Sequence, residues 1–114
     1  MPRPYVPGRG DLVWLEFDPQ AGHEQAGRRP ALTVSHAEYN AKVGLALFCP
    51  VTSQVEGYPF EVPVPQGLDV RGVVLSDQVK SLDWRARRAT RIATIPPSAL
   101  DQVVARILAL IAVV

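Results

Sequence analysis

The sequence predicts a β-rich α+β domain, a compact barrel or strongly bent sheet of about seven short strands followed by a C-terminal amphipathic helix. Three observations carry this. Short apolar runs, several alternating with period two, recur between turn signals along most of the chain. Proline occurs eleven times, roughly twice the usual share, and scattered prolines suit strand edges and turns better than helix interiors. Only the last segment repeats its apolar residues at helical spacing. At 114 residues the chain fits a single domain spanning 1–114, with one core, and its 47% hydrophobic content excludes disorder for the bulk of it.

Residues 1–10, with three prolines and two glycines, read as an extended arm. Asp11 to Phe17 is the first strand: Val13, Leu15 and Phe17 alternate with Leu12, Trp14 and Glu16, so most of both sides is covered. A polar loop runs from Asp18 to Arg29, too long for a mere connection and the expected site. Pro30 to Ser35 is a second strand, His36 to Gly44 a turn region, and Leu45 to Thr52 a third, very apolar strand. Phe60, Val62 and Val64 alternate with Glu61 and Pro63, which predicts an edge strand with one wet face. Gly72–Ser76, Val79–Leu82 and Ala89–Thr94 complete the strands. Pro96-Pro97 then precedes Ser98, which with Asp101 resembles a capping box. Leu100, Val103, Val104, Ile107, Leu108 and Ile111 form the helical stripe, widened by Leu110 and Val113. A stripe that wide asks for more neighbours than one small sheet, which makes a homodimer the expectation.

The formal charge of +1 gives little whole-molecule attraction for nucleic acid, yet ten of the twelve basic residues are arginines. Arginine suits two-pronged contact with phosphate and stacking on bases. Arg85, Arg87, Arg88 and Arg91 form a basic run that is either a solvated face or a binding rim. Cys49 is the only cysteine, so an internal disulfide is excluded and a reducing compartment is the expectation. The first ten residues lack the apolar segment of a secretory signal, and the C-terminal apolar stretch is too short and too interrupted to span a bilayer. A cytoplasmic location is therefore expected.

Three polar groups stand out: Glu24 with Arg28 and Arg29, Thr52 with Ser53, and Gln78, Lys80 and Arg87. If the second and third strands pair as an antiparallel hairpin, Arg29 and Thr52 reach the same rim, and a guanidinium with a hydroxyl there suits a phosphate. The competing reading is a surface Arg29–Glu24 pair and a Thr52 that merely ends a strand. Cys49 reads as core packing. His23 and His36 have no metal-ligand spacing, so no metal or other cofactor is expected, and His23 retains only a possible part in proton transfer. Trp14 and Trp84 read as core or rim packing, with base stacking open for Trp84 beside the arginines.

Read together, these stretches resemble the MazF/PemK family, toxins of type II toxin–antitoxin systems. The matching pieces are Gly10–Trp14, Phe17-Asp-Pro19, Glu24–Gly27 with Arg29-Pro30, Pro50–Thr52, Gly57–Glu61, Asp77–Ser81, Trp84–Arg87 and the C-terminal helix. The resemblance implies a homodimeric SH3-like or CcdB-like β-barrel that cleaves single-stranded RNA at short sequence motifs without a metal. It implies catalytic roles for Arg29, Thr52 and Glu24, and a MazE-like antitoxin whose acidic tail lies across the dimer. Arg28, Ser53, Gln78, Lys80 and Arg87 are the expected RNA-contacting residues. The RNA 2′-hydroxyl would attack the neighbouring phosphate to leave a 2′,3′-cyclic phosphate and a 5′-hydroxyl end. Two alternatives stand beside this: a CcdB-like gyrase-binding toxin, whose Trp-Gly-Ile ending this chain lacks, and a non-catalytic RNA-binding SH3-like module.

Overall fold

The computed structural model describes residues 4–17 and 27–112. Its sheet is arranged around the longest strand, β3 (Leu45–Thr52). One edge of β3 pairs with β2 (Arg28–Thr33), which pairs with β1 (Asp11–Glu16), which pairs with β7 (Thr90–Thr94). The other edge is shared. Residues 45–48 pair with β6 (Lys80–Asp83), and residues 51–52 pair with β5 (Val73–Leu75), itself paired with β4 (Glu61–Pro63). A short 3₁₀ turn, Ser76–Gln78, carries the chain from β5 to β6. All pairings are antiparallel. Among the described residues the seven expected strands are present, and the path from β4 to β7 stays open instead of closing into a complete barrel.

The two pleat faces carry two apolar clusters, as the double-sided pattern of the first strand requires. Leu12, Leu32, Cys49, Val51, Val62 and Val74 pack beneath helix α2 (Pro97–Ile111), which contributes Ala99, Leu100 and Val103. Val13, Leu15, Ala31, Phe48 and Trp84 form the second cluster on the opposite face. Fully buried side chains such as Phe48 and Leu12 each add roughly 1.5–3 kcal/mol.

Three local expectations are corrected. His36 to Gly44 is not a turn region: Ala37–Val43 forms helix α1, ended by Gly44 in the left-handed conformation at φ 84°. The helix is held by a polar residue. Asn40, fully buried, donates from Nδ2 to Pro7 O (2.7 Å) and Ser35 O (3.1 Å), and its carbonyl accepts from Trp84 Nε1 (2.9 Å). The capping box is absent as well. Helix α2 begins at Pro97, whose missing N–H needs no partner, and the Pro96 carbonyl accepts from the amides of Ala99 and Leu100, both at 3.1 Å. Finally, β4 does not have a wet face at Glu61, which is only 9% exposed because its carboxylate turns back to hold the preceding loop.

Candidate functional site: a rim shared by strands β2 and β3

The polar loop read from the sequence as ending at Arg29 hands its last two residues to β2: Arg28 pairs with Glu16 and Arg29 with Leu15 across the β1–β2 ladder. On the other side of β2 the register pairs Thr33 with Phe48, Leu32 with Cys49 and Ala31 with Pro50. Pro30 has no N–H to extend that ladder. The paired ladder ends at Ala31 and Pro50; the same register continued by two residues would set Arg29 opposite Thr52. Alternation along the pleat puts both on the face of the second cluster, together with Phe17, two residues beyond Leu15, and Lys80, which pairs with Phe48. The Lys80 ammonium lies 5.9 Å from the centre of the Phe17 ring. Two cations, a hydroxyl and an aromatic ring thus share one face of the sheet.

The Thr52 hydroxyl is oriented by its own loop. Gln54 N–H donates to Thr52 Oγ1 at 3.0 Å, which fills an acceptor position and leaves the hydroxyl proton for another group. The backbone beneath is equally constrained, since a Cβ on Gly72, at φ +123°, would overlap the Thr52 carbonyl.

Other expected site residues have different surroundings. Arg28 stands on the opposite pleat face from Arg29; it donates to Arg88 O (2.9 Å) and Thr90 Oγ1 (2.7 Å) and lies 3.8 Å from Glu16. Glu16 is also 3.6 Å from Arg88. Arg87 donates to the carbonyls of Glu16 (3.0 Å) and Phe17, fixing the end of β1. Ser53 and Gln78 are exposed, Ser53 just past Thr52. Glu24 and His23 lie outside the described residues. Stacking by Trp84 is overturned, because the ring is buried at 2% exposure, with Arg85 4.9 Å above it. Cys49 is core, and burial pushes its thiol up to about 12.

This chain is similar to known proteins over nearly its whole length. A family described as PemK-like, MazF-like toxin of type II toxin–antitoxin system matches residues 8–111. The chain belongs to this family. It is 52% identical over 107 residues to the endoribonuclease toxin MazF of Escherichia coli K12, covering 94% of this chain and 96% of that protein. Crystal structures of MazF and of a MazE–MazF form from Deinococcus radiodurans superpose with TM-scores of 0.88 and 0.89, at 55% and 52% identity, each over 96% of this chain and all of the other.

Within this PemK/MazF chain, reading the sequence missed the groove that leads away from Thr52. It has a volume of about 500 Å³ and is lined by Thr52, Gln54, Glu56, Tyr58, Glu61, Leu75 and Gln78. Glu61 shapes one wall: Oε2 accepts from Glu56 N–H (2.9 Å) and Oε1 from Gly57 N–H (2.8 Å). Arg106 of α2 donates from Nε to Pro59 O at 2.8 Å. The Tyr58 phenol donates to Asp77 Oδ1 at 2.7 Å, and that bond, then desolvation, pushes its pKa up to about 12. A buried carboxylate read as a solvated one hid this wall from a pattern-based reading.

Proposed function

We propose that this chain is a sequence-specific endoribonuclease toxin that cuts single-stranded RNA in the cytoplasm and is inhibited by a cognate MazE-like antitoxin. Relatives named endoribonuclease toxins support the activity, and a MazE–MazF complex among the solved relatives supports the partner. The observation that supports the site is the antiparallel β2–β3 register from Thr33–Phe48 to Ala31–Pro50, which, if continued by two residues, would oppose Arg29 and Thr52.

In the proposed reaction, the 2′-hydroxyl loses its proton and its oxygen bonds to the adjacent phosphorus. The P–O5′ bond breaks, and the departing oxygen takes up a proton, leaving a 2′,3′-cyclic phosphate and a 5′-hydroxyl. Arg29 stabilises the extra negative charge on the five-coordinate phosphorus, and the Thr52 hydroxyl donates to a non-bridging oxygen. Glu24 is the carboxylate assigned to accept the 2′ proton. Lys80 lies along the same face and suits a flanking phosphate. No metal is required, so EDTA leaves cleavage unchanged. The toxin acts as a homodimer, in which a second copy covers apolar surface such as Leu108, Leu110 and Ile111, which are 50%, 50% and 70% exposed on the single chain.

Donors of this kind are worth about 10²–10³ in rate. Arg29→Ala and Thr52→Ala are each expected to slow cleavage of a long RNA by that much, with circular dichroism and urea unfolding unchanged. Near-unaltered cutting by folded Arg29→Ala would refute the assignment.

A further inference from the structure

The groove beside Thr52 has a chemistry unlike the rim it opens from. The rim carries Arg29 and Lys80; the groove carries Glu56 and Glu61, with Asp77 behind the Tyr58 phenol. Negative charge of this density repels a phosphate, so a strand held by its phosphate at Thr52 turns something else into the groove. The volume of about 500 Å³ falls in the range, about 300–1,000 Å³, of pockets that take small organic molecules. Tyr58 gives it a flat wall, since the phenol is fixed by Asp77 (2.7 Å) and the ring is flanked by Phe60 at 6.5 Å. Leu75 adds apolar lining, and the Gln54 and Gln78 amides and the Glu56 carboxylate supply polar edges. By contrast, the larger hollow of about 680 Å³ under residues 64–72 shares none of the groove's lining residues and has no aromatic wall.

Building on the endoribonuclease reading, we propose that this groove is a nucleobase subsite that helps set the cleavage motif. The base next to the scissile phosphate stacks on Tyr58 and presents an exocyclic amino group to Glu56 and Gln78. A glutamine amide matches the N6/N7 edge of adenine, and a carboxylate accepts from the N4 amino group of cytosine. Uracil, whose edge carries two carbonyls, is disfavoured by the carboxylates. The loop is ready for this in the free protein, because Glu61 and Arg106 already hold its backbone.

The test uses the full-length protein and short single-stranded RNAs containing one mapped cut. In these, nucleosides flanking the cut are replaced singly by analogues lacking the amino group: purine riboside for adenosine, pyrimidin-2-one riboside for cytidine, inosine for guanosine. One replacement is expected to lower kcat/KM about 10- to 100-fold, and Glu56→Gln to shrink that difference. Tyr58→Ala is expected to lower kcat/KM roughly 10- to 100-fold, the value of one base stacked on an aromatic ring, with Tyr58→Phe restoring most of it. If the unaltered protein cuts these RNAs but no replacement matters, or Tyr58→Ala cuts as well as the parent, the subsite is overturned and the nuclease reading stands. If the unaltered protein cuts no RNA at all, both fall together.

Discussion

Asp11 and Glu61 each gather the backbone of a neighbouring segment, near opposite ends of the strand path. Asp11 Oδ2 accepts from the Tyr5 phenol (2.6 Å) and Gly8 N–H (3.0 Å), while Oδ1 faces Arg91 Nε at 3.6 Å. Glu61 likewise takes two loop amides, but the phenol of that loop goes to a different carboxylate, Asp77. The first arrangement closes on itself: arm, strand and guanidinium neutralise one another. The second leaves acceptors displayed along a groove that begins at Thr52. The same chemistry thus anchors an arm at one end and builds a recognition wall at the other. Substitutions at the two ends should accordingly separate stability from cleavage.

The largest effect is expected at the groove end. In Gly72→Ala the added carbon meets the Thr52 carbonyl, and φ of +123° is one that side chains with a Cβ avoid. A cost of roughly 2–4 kcal/mol in urea unfolding is expected, with cleavage by the molecules that remain folded reduced at least about tenfold, because Thr52 is displaced. Unaltered unfolding together with unaltered cutting would show that the rim tolerates what the geometry forbids. Next in size is Asn40→Ala, at the arm end. It removes the bonds to Pro7 and Ser35 and leaves buried acceptors behind, at a cost of about 2–3 kcal/mol. Here kcat/KM per folded molecule should stay unchanged. A drop in kcat/KM at constant stability would erase the distinction between the two ends.

That contrast also explains what could be read from the sequence. Period-two alternation in Val13, Leu15 and Phe17 and the helical stripe from Leu100 report burial directly, so the seven strands and α2 were legible. The β2–β3 hairpin from which the Arg29–Thr52 site was argued was legible because antiparallel pairing of two consecutive strands is the default. Helix α1 was not, since its only buried residue is Asn40, and a polar anchor leaves no apolar periodicity. Arg28 and Arg29 are neighbours in sequence, yet the pleat sends them to opposite faces, and only the register with β1 shows that Arg28 belongs with Glu16. Glu61 was misread for the same reason as Asn40: its partners are backbone amides five and four residues away, and such bonds have no signature in side-chain pattern.

The smallest effect, and the finest test of the comparison, lies in the two phenols. Tyr5 is raised above its ordinary 10.0 first by burial and then by its bond to Asp11; Tyr58 is raised to about 12 first by its bond to Asp77 and only then by burial. Raised values mean that the folded chain keeps phenol protons that the unfolded chain gives up. Their contribution is therefore complete below pH 10 and is lost as pH climbs from there through the folded values. Removing the partner should act unequally. Asp77→Asn is expected to return Tyr58 most of the way to 10 in a phenolate absorbance titration, whereas Asp11→Asn leaves Tyr5 clearly raised, because burial persists. The opposite ranking would mean that the arm is held mainly by its carboxylate and the groove wall by packing, reversing the roles assigned to the two ends.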